Sequence, residues 1–131
     1  MNLSSKYKEE ALKLKKQSLV LEKRYSNNQA HISTLNQKQD ALEQDLKDLE
    51  SRLIELSALI EKLDQINMIS LRESYIGKFN QIENQKQHLK SSIKTVIDEI
   101  QELKNEQSRV NKVLELKISE QRKILARGCI Q

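Results

Sequence analysis

Proline and tryptophan are absent from this chain, and its aromatics amount to Tyr 3 and Phe 1. Without bulky side chains a 131-residue chain cannot fill a globular core, and without proline nothing forces a long helix to break. Gly77 and Gly128 are the two glycines, too few for a phosphate-cradling loop, so neither ATP binding nor another nucleotide cofactor is expected. A single cysteine, Cys129, excludes an internal disulfide framework and fits a reducing cytosol. Lying third from the C-terminus, it is also off the prenylation pattern. Met1-Asn2-Leu3 does not lead into the apolar run of a signal peptide, and no stretch reaches membrane-spanning length, so no direct membrane insertion is expected.

Charge is plentiful, at 32% of residues, and the mean hydropathy of −0.72 is low enough to suit a disordered chain. Disorder, however, would not preserve the pattern of the apolar residues. From Tyr7 through Ala11, Leu14, Ser18, Leu21, Tyr25, Asn28, Ile32 and Leu35 to Leu63, seam positions alternate between three and four residues apart without a slip. The alternation resumes at Tyr75 and runs through Phe79, Ile82, Lys86, Leu89, Ile93 and Val96 to Ile124. A strict 3.5-residue period keeps a narrow line facing one partner helix, which is the signature of a coiled coil. Two seams of nearly equal length, broken only between Ile66 and Ser74, predict an all-α fold: an antiparallel two-helix coiled-coil hairpin.

This predicts one hairpin over residues 1–131, with helix 1 at about 5–66, a turn near residues 66–70 and helix 2 at about 71–127. Residues 1–5 should fray, with Ser4 or Ser5 as a cap. Ser70 and Glu73 have the spacing of a capping box, which places the second helix start at Ser70. Gly77 is a competing turn site, although a solvated helical glycine costs only about 1 kcal/mol. With the turn centred between Asn67 and Met68, polar seam residues meet: Asn28 faces Gln107, Ser18 faces Lys117, and Tyr7 lies beside Gly128. In the register seven residues along, Gln107 would instead face Leu35. The expected object is a rod on the order of 85 to 95 Å long at about 1.5 Å per residue.

Charge is uneven along that rod. Residues 1–24 and residues 104–131 each carry seven Lys or Arg against three acids, whereas residues 40–64 have eight acids against three bases. Pairing the ends would create one strongly positive tip on a chain of net charge +4. Aliphatics off the seam gather there as well, namely Leu12, Leu19, Val20, Val113, Leu116, Ile118 and Leu125. A second group, Ile66, Met68, Ile69, Leu71 and Ile76, sits at the bend, while Ile54, Leu59 and Ile97 are the main exceptions between the two. Apolar side chains exposed in groups suggest two protein-binding ends.

No catalytic constellation is present, and the chain is not expected to be an enzyme. His31 and His88 fall at g and c positions without companions at metal-ligand spacing, and read as solvated. The acids Asp40, Glu43, Asp45, Asp48 and Glu50 read as a solvated helix face. The basic end admits three readings: a solvated face, a nucleic-acid surface, or a docking surface for an acidic, partly apolar protein. Interspersed Glu9, Glu10, Glu22, Glu115 and Glu120, with no stacking platform, argue against nucleic acid. Docking accounts for both the charge and the off-seam aliphatics.

Arg72-Glu73-Ser74-Tyr75-Ile76-Gly77-Lys78-Phe79-Asn80-Gln81-Ile82 opens the second helix with an R-E-x-Y element before a Gln- and Lys-rich coil. With the hairpin, the basic paired termini and the apolar bend, the chain resembles the central-stalk proteins of type III secretion systems. That family includes the flagellar export stalk and its injectisome counterparts, similar in shape to the two-helix part of the rotary ATPase gamma subunit. The resemblance implies a protein at the cytoplasmic face of a bacterial secretion apparatus, with its termini in the pore of a hexameric export ATPase. It implies an export gate protein at the bend and export chaperones as further partners. The matching pore-facing residues are Lys13, Lys16, Leu19, Leu116, Lys117, Arg122, Lys123 and Arg127, and the gate-facing ones Met68, Ile69 and Ile76. Two alternatives stay open beside it. One is a structural spacer forming a parallel homodimer, with Gln39 against Gln39; the other is a prefoldin-type or RNA-binding hairpin.

Overall fold

The computed structural model describes residues 5–130, with side chains through Arg127. Helix α1 spans Ser5–Gln65 and helix α2 spans Ile69–Ile130. The helices pack against each other as an all-α hairpin, so within the chain the two seams occupy one another. Gln39 turns its amide to Glu43 Oε1 of its own helix, at 3.0 Å. Ser5 is already helical. The expected cap at Ser4, the fraying of residues 1–4, Cys129 and the Gly128 side of the Tyr7 pairing lie outside the described residues and side chains.

Nearly every seam position is buried or half-buried, as the alternation predicts; Tyr25 is the exception at 38% exposure. The hairpin divides into two compact units, Met1–Thr34 with Ile100–Gln131 and Leu35–Glu99. Within unit 1, Ala11, Leu14 and Ile32 of α1 are buried together with Ile100 and Val110 of α2. Two buried polar residues, Ser18 and Gln107, interrupt this core. The Gln107 amide donates to Tyr25 O at 3.0 Å and to Gln29 Oε1 at 3.2 Å, the neighbours on either side of Asn28. This is the register expected from polar matching, although the bond runs to the flanks of Asn28, whose Nδ2 has no partner. The Ser18 hydroxyl likewise makes no hydrogen bond, so the expected meeting with Lys117 satisfies neither group through the other.

Within unit 2, Leu35, Leu53 and Leu63 of α1 and Ile93 and Val96 of α2 form the core, with Val96 only 2% exposed. Lys86, a polar seam residue, reaches Glu50 Oε1 at 3.9 Å. The turn differs from the expected capping box. Asn67 adopts φ 58°, Met68 N–H donates to Leu63 O at 3.0 Å, and Asn67 N–H donates to Asp64 O at 3.1 Å. Those two bonds are the Schellman pattern with asparagine in the left-handed position, where its short polar side chain is tolerated better than a branched one.

Met68 then serves α2 at once, because its carbonyl accepts from Arg72 N–H at 3.0 Å. Helix 2 therefore begins at Ile69 and encloses Ser70, which cannot act as its N-cap. The physical reason is that Asn67 closes α1 and reverses the chain by itself, leaving no residues to spare before the next helix. Arg72 Nε lies 3.4 Å from Asp64 Oδ1 across the turn, an ion pair without hydrogen-bond alignment. Gly77 lies inside α2 with helical φ, and a Cβ there would meet nothing within 4 Å, so it is no turn.

Candidate functional site

Lettering the seam a and d puts the remaining positions on two flanks. In an antiparallel pair, the e and b positions of both helices share one flank and the g and c positions share the other. Contacts within each unit follow this division. Arg24 and Glu106, both g, form an ion pair in unit 1. Also in unit 1, Glu10, Lys13 and Gln17 line one cleft with Lys117 and Glu120 over a floor of Leu14 and Ile124.

Pairing of the chain's two end segments thus brings Lys13 and Lys117 together, in company with two glutamates. The other candidates distribute by letter. Lys123, Arg127 and Leu116 are exposed on the same g and c flank as Lys13; Arg122 and Leu19 are exposed on the e and b flank; Lys16 points away from both. Seven of the eight residues therefore divide between two surfaces and Lys16 belongs to neither, because they share charge and apolarity but not heptad position. Lys117 is a half-buried seam residue that lines the cleft.

Exposure also sorts the aliphatics. Leu12, Leu19, Val20, Val113 and Leu116 are exposed, whereas Ile118 and Leu125 are half-buried at e positions beside the seam. At the bend Ile66, Met68, Ile69 and Leu71 are exposed, but Ile76, another e residue, is half-buried. Met68 and Ile69 thus present apolar surface at the turn, with Ile76 set back against the coil.

Two grooves in unit 2 were not apparent from composition. On the g and c flank, His88 lines a cleft together with Asp45, Asp48 and Arg52. No group of three or more metal-binding side chains is formed among the described residues. On the e and b flank, Ile54 stands 72% exposed in a groove with Glu50, Leu53, Phe79, Glu83 and Lys86. Its signal in the sequence is the line Glu43, Lys47, Glu50, Ile54, Ser57 and Glu61, which keeps the three-four spacing one residue off the seam. No described helix is long and apolar enough to cross a membrane.

Fold and surfaces together define a helical hairpin with charged, partly apolar flanks. No protein-family model, curated protein or solved structure matches the chain.

Proposed function

We propose that this chain is a non-enzymatic central stalk. Its paired end segments enter the pore of a hexameric type III secretion export ATPase and stimulate or coordinate hydrolysis. The bend, through Met68 and Ile69, links the ATPase to the membrane export gate, at the cytoplasmic face of the secretion apparatus. Export chaperones are further partners under this reading.

The observation that carries the proposal is the composition of unit 1. Segments from both ends of the chain lie side by side there, with Lys13 and Lys117 on one cleft and Leu116 exposed on the same flank. Such a surface suits an acidic, partly apolar protein lining: the aliphatics supply affinity and the lysines and arginines supply steering and orientation. The mechanism is asymmetric contact. One two-helix element inside a six-fold ring cannot touch all subunits alike, so it favours closure of whichever subunit it contacts best and thereby orders hydrolysis around the ring.

The test is to add the purified chain to the export ATPase and measure hydrolysis. Stimulation is expected, together with its loss when charge is reversed by Arg122→Glu and Arg127→Glu. Equal hydrolysis with and without the chain would overturn the proposal.

A further inference from the structure

The e and b flank has opposite character in the two units. In unit 2 it carries the groove around the exposed Ile54, floored by Leu53 and Phe79 and edged by Glu50, Glu83 and Lys86, the last 3.9 Å from Glu50 Oε1. Asp40, Glu43 and Glu61 continue that stripe along α1, broken by Lys47, and Lys90 and Lys94 lie on its α2 side. In unit 1 the stripe reads Lys8, Leu12, Lys15 and Leu19 on α1, with Arg122 on α2; Leu12 and Leu19 are 53% and 54% exposed. Both flanks carry charge of either sign, with Glu22 and Glu115 also on that of unit 1, but acids outnumber bases in unit 2 and bases outnumber acids in unit 1. The other flank of unit 2 lacks this bias, with Asp45 and Asp48 balanced by Arg52 and Lys38.

We infer that the basic e and b stripe of unit 1 in one molecule docks on the acidic e and b groove of unit 2 in a second copy of this chain. Leu12 and Leu19 cover Ile54 and the apolar floor, and Lys8, Lys15 and Arg122 lie against Glu50, Glu61 and Glu83. Unlike surfaces are selected because matching unit 1 with unit 1, or unit 2 with unit 2, sets like charges against each other. The association needs no unzipping, since both stripes lie outside the seam. It does not rest on the stalk reading, but it occupies Leu19 and Arg122. Self-association and docking to a ring are therefore mutually exclusive, and the copy-to-copy form is a reserve from which a tighter partner draws monomers.

Sedimentation velocity of the intact chain at about 100 μM tests this, at about 0.02 M and about 0.5 M salt. Mass above that of a monomer at low salt and monomer at high salt is expected. One variant carries Lys8→Glu, Lys15→Glu and Arg122→Glu, and another carries Glu61→Lys and Glu83→Lys. Each should be monomeric alone at low salt while keeping its helical circular dichroism. Mixed, they should associate, because each mixture pair restores one native contact and one charge-reversed contact. A chain monomeric at both salt levels overturns the proposal. So does association of either variant alone at the wild-type level, or a mixture of helical variants that stays monomeric.

Discussion

The side-chain amide of Gln107 donates to the main-chain carbonyl of Tyr25, 3.0 Å away and 82 residues earlier in the chain. A second bond from the same nitrogen reaches Gln29 Oε1 at 3.2 Å. Shifting α2 by a heptad would replace these acceptors with an apolar seam residue and strand a buried amide, at a cost of about 1 to 3 kcal/mol. Gln107 therefore selects the register of unit 1 more than it stabilises the unit. Replacing it should separate the two effects. Gln107→Leu gains apolar burial and removes the unpaired Oε1, so thermal stability should rise by about 1 kcal/mol. Spin labels at Ser26 and Ser108 should at the same time show a broader distance distribution than in the wild type. A lower melting temperature with an unchanged distribution would assign Gln107 a purely stabilising role.

Ser18 offers a simpler case. Its hydroxyl is buried without a partner, and alanine is the better helix former. Ser18→Ala should stabilise the chain by about 1 kcal/mol, measured by urea unfolding. A loss of stability would mean that the hydroxyl is satisfied in solution.

The turn depends on backbone conformation rather than on a cap. Asn67 sits at φ 58°, which a β-branched residue adopts only at a cost of about 1 to 2 kcal/mol. Asn67→Val should lower stability by that amount, and Asn67→Gly should be neutral or slightly stabilising. Ser70→Ala, at a helical position, should cost less than the loss of a true N-cap, which is about 1 kcal/mol. A larger loss at Ser70 than at Asn67 would reinstate the capping box.

Gly77 provides a control on the same region. Its φ is helical and the space that an added methyl group would fill is open, so Gly77→Ala should raise stability by about 1 kcal/mol in thermal unfolding. Destabilisation would indicate that the chain bends there.

How much of this was readable from residues alone follows from which positions obey a single rule. The seam was legible because a three-four alternation has one physical solution, and burial follows it from Tyr7 to Ile124 with Tyr25 alone exposed. The turn was placed to within a few residues, but its chemistry was not, because an asparagine's φ is set by what the neighbouring helices need. Ser70 and Glu73 have capping-box spacing, yet Met68 reaches the helix first. The candidate surface was only partly legible. Lys13 and Lys117 meet as the pairing of end segments implies, but Arg122 and Leu19 fall on the opposite flank from Lys123 and Leu116. Charge and apolarity were counted along the chain, whereas flank membership depends on heptad letter. The same omission hid the groove around Ile54 and overstated the exposure of Ile76, Ile118 and Leu125.

Residues from the two end segments of one molecule share a surface, as Lys13 and Glu120 do on the cleft of unit 1. Double electron–electron resonance between labels at these two sites, in molecules diluted with unlabelled chain, tests it most directly. Packed helices have axes about 8 to 10 Å apart, so the account predicts one narrow distance of about 20 to 30 Å once label length is included. A pair in one chain too far apart to couple, as an unbroken helix rising about 1.5 Å per residue between them would require, would contradict it.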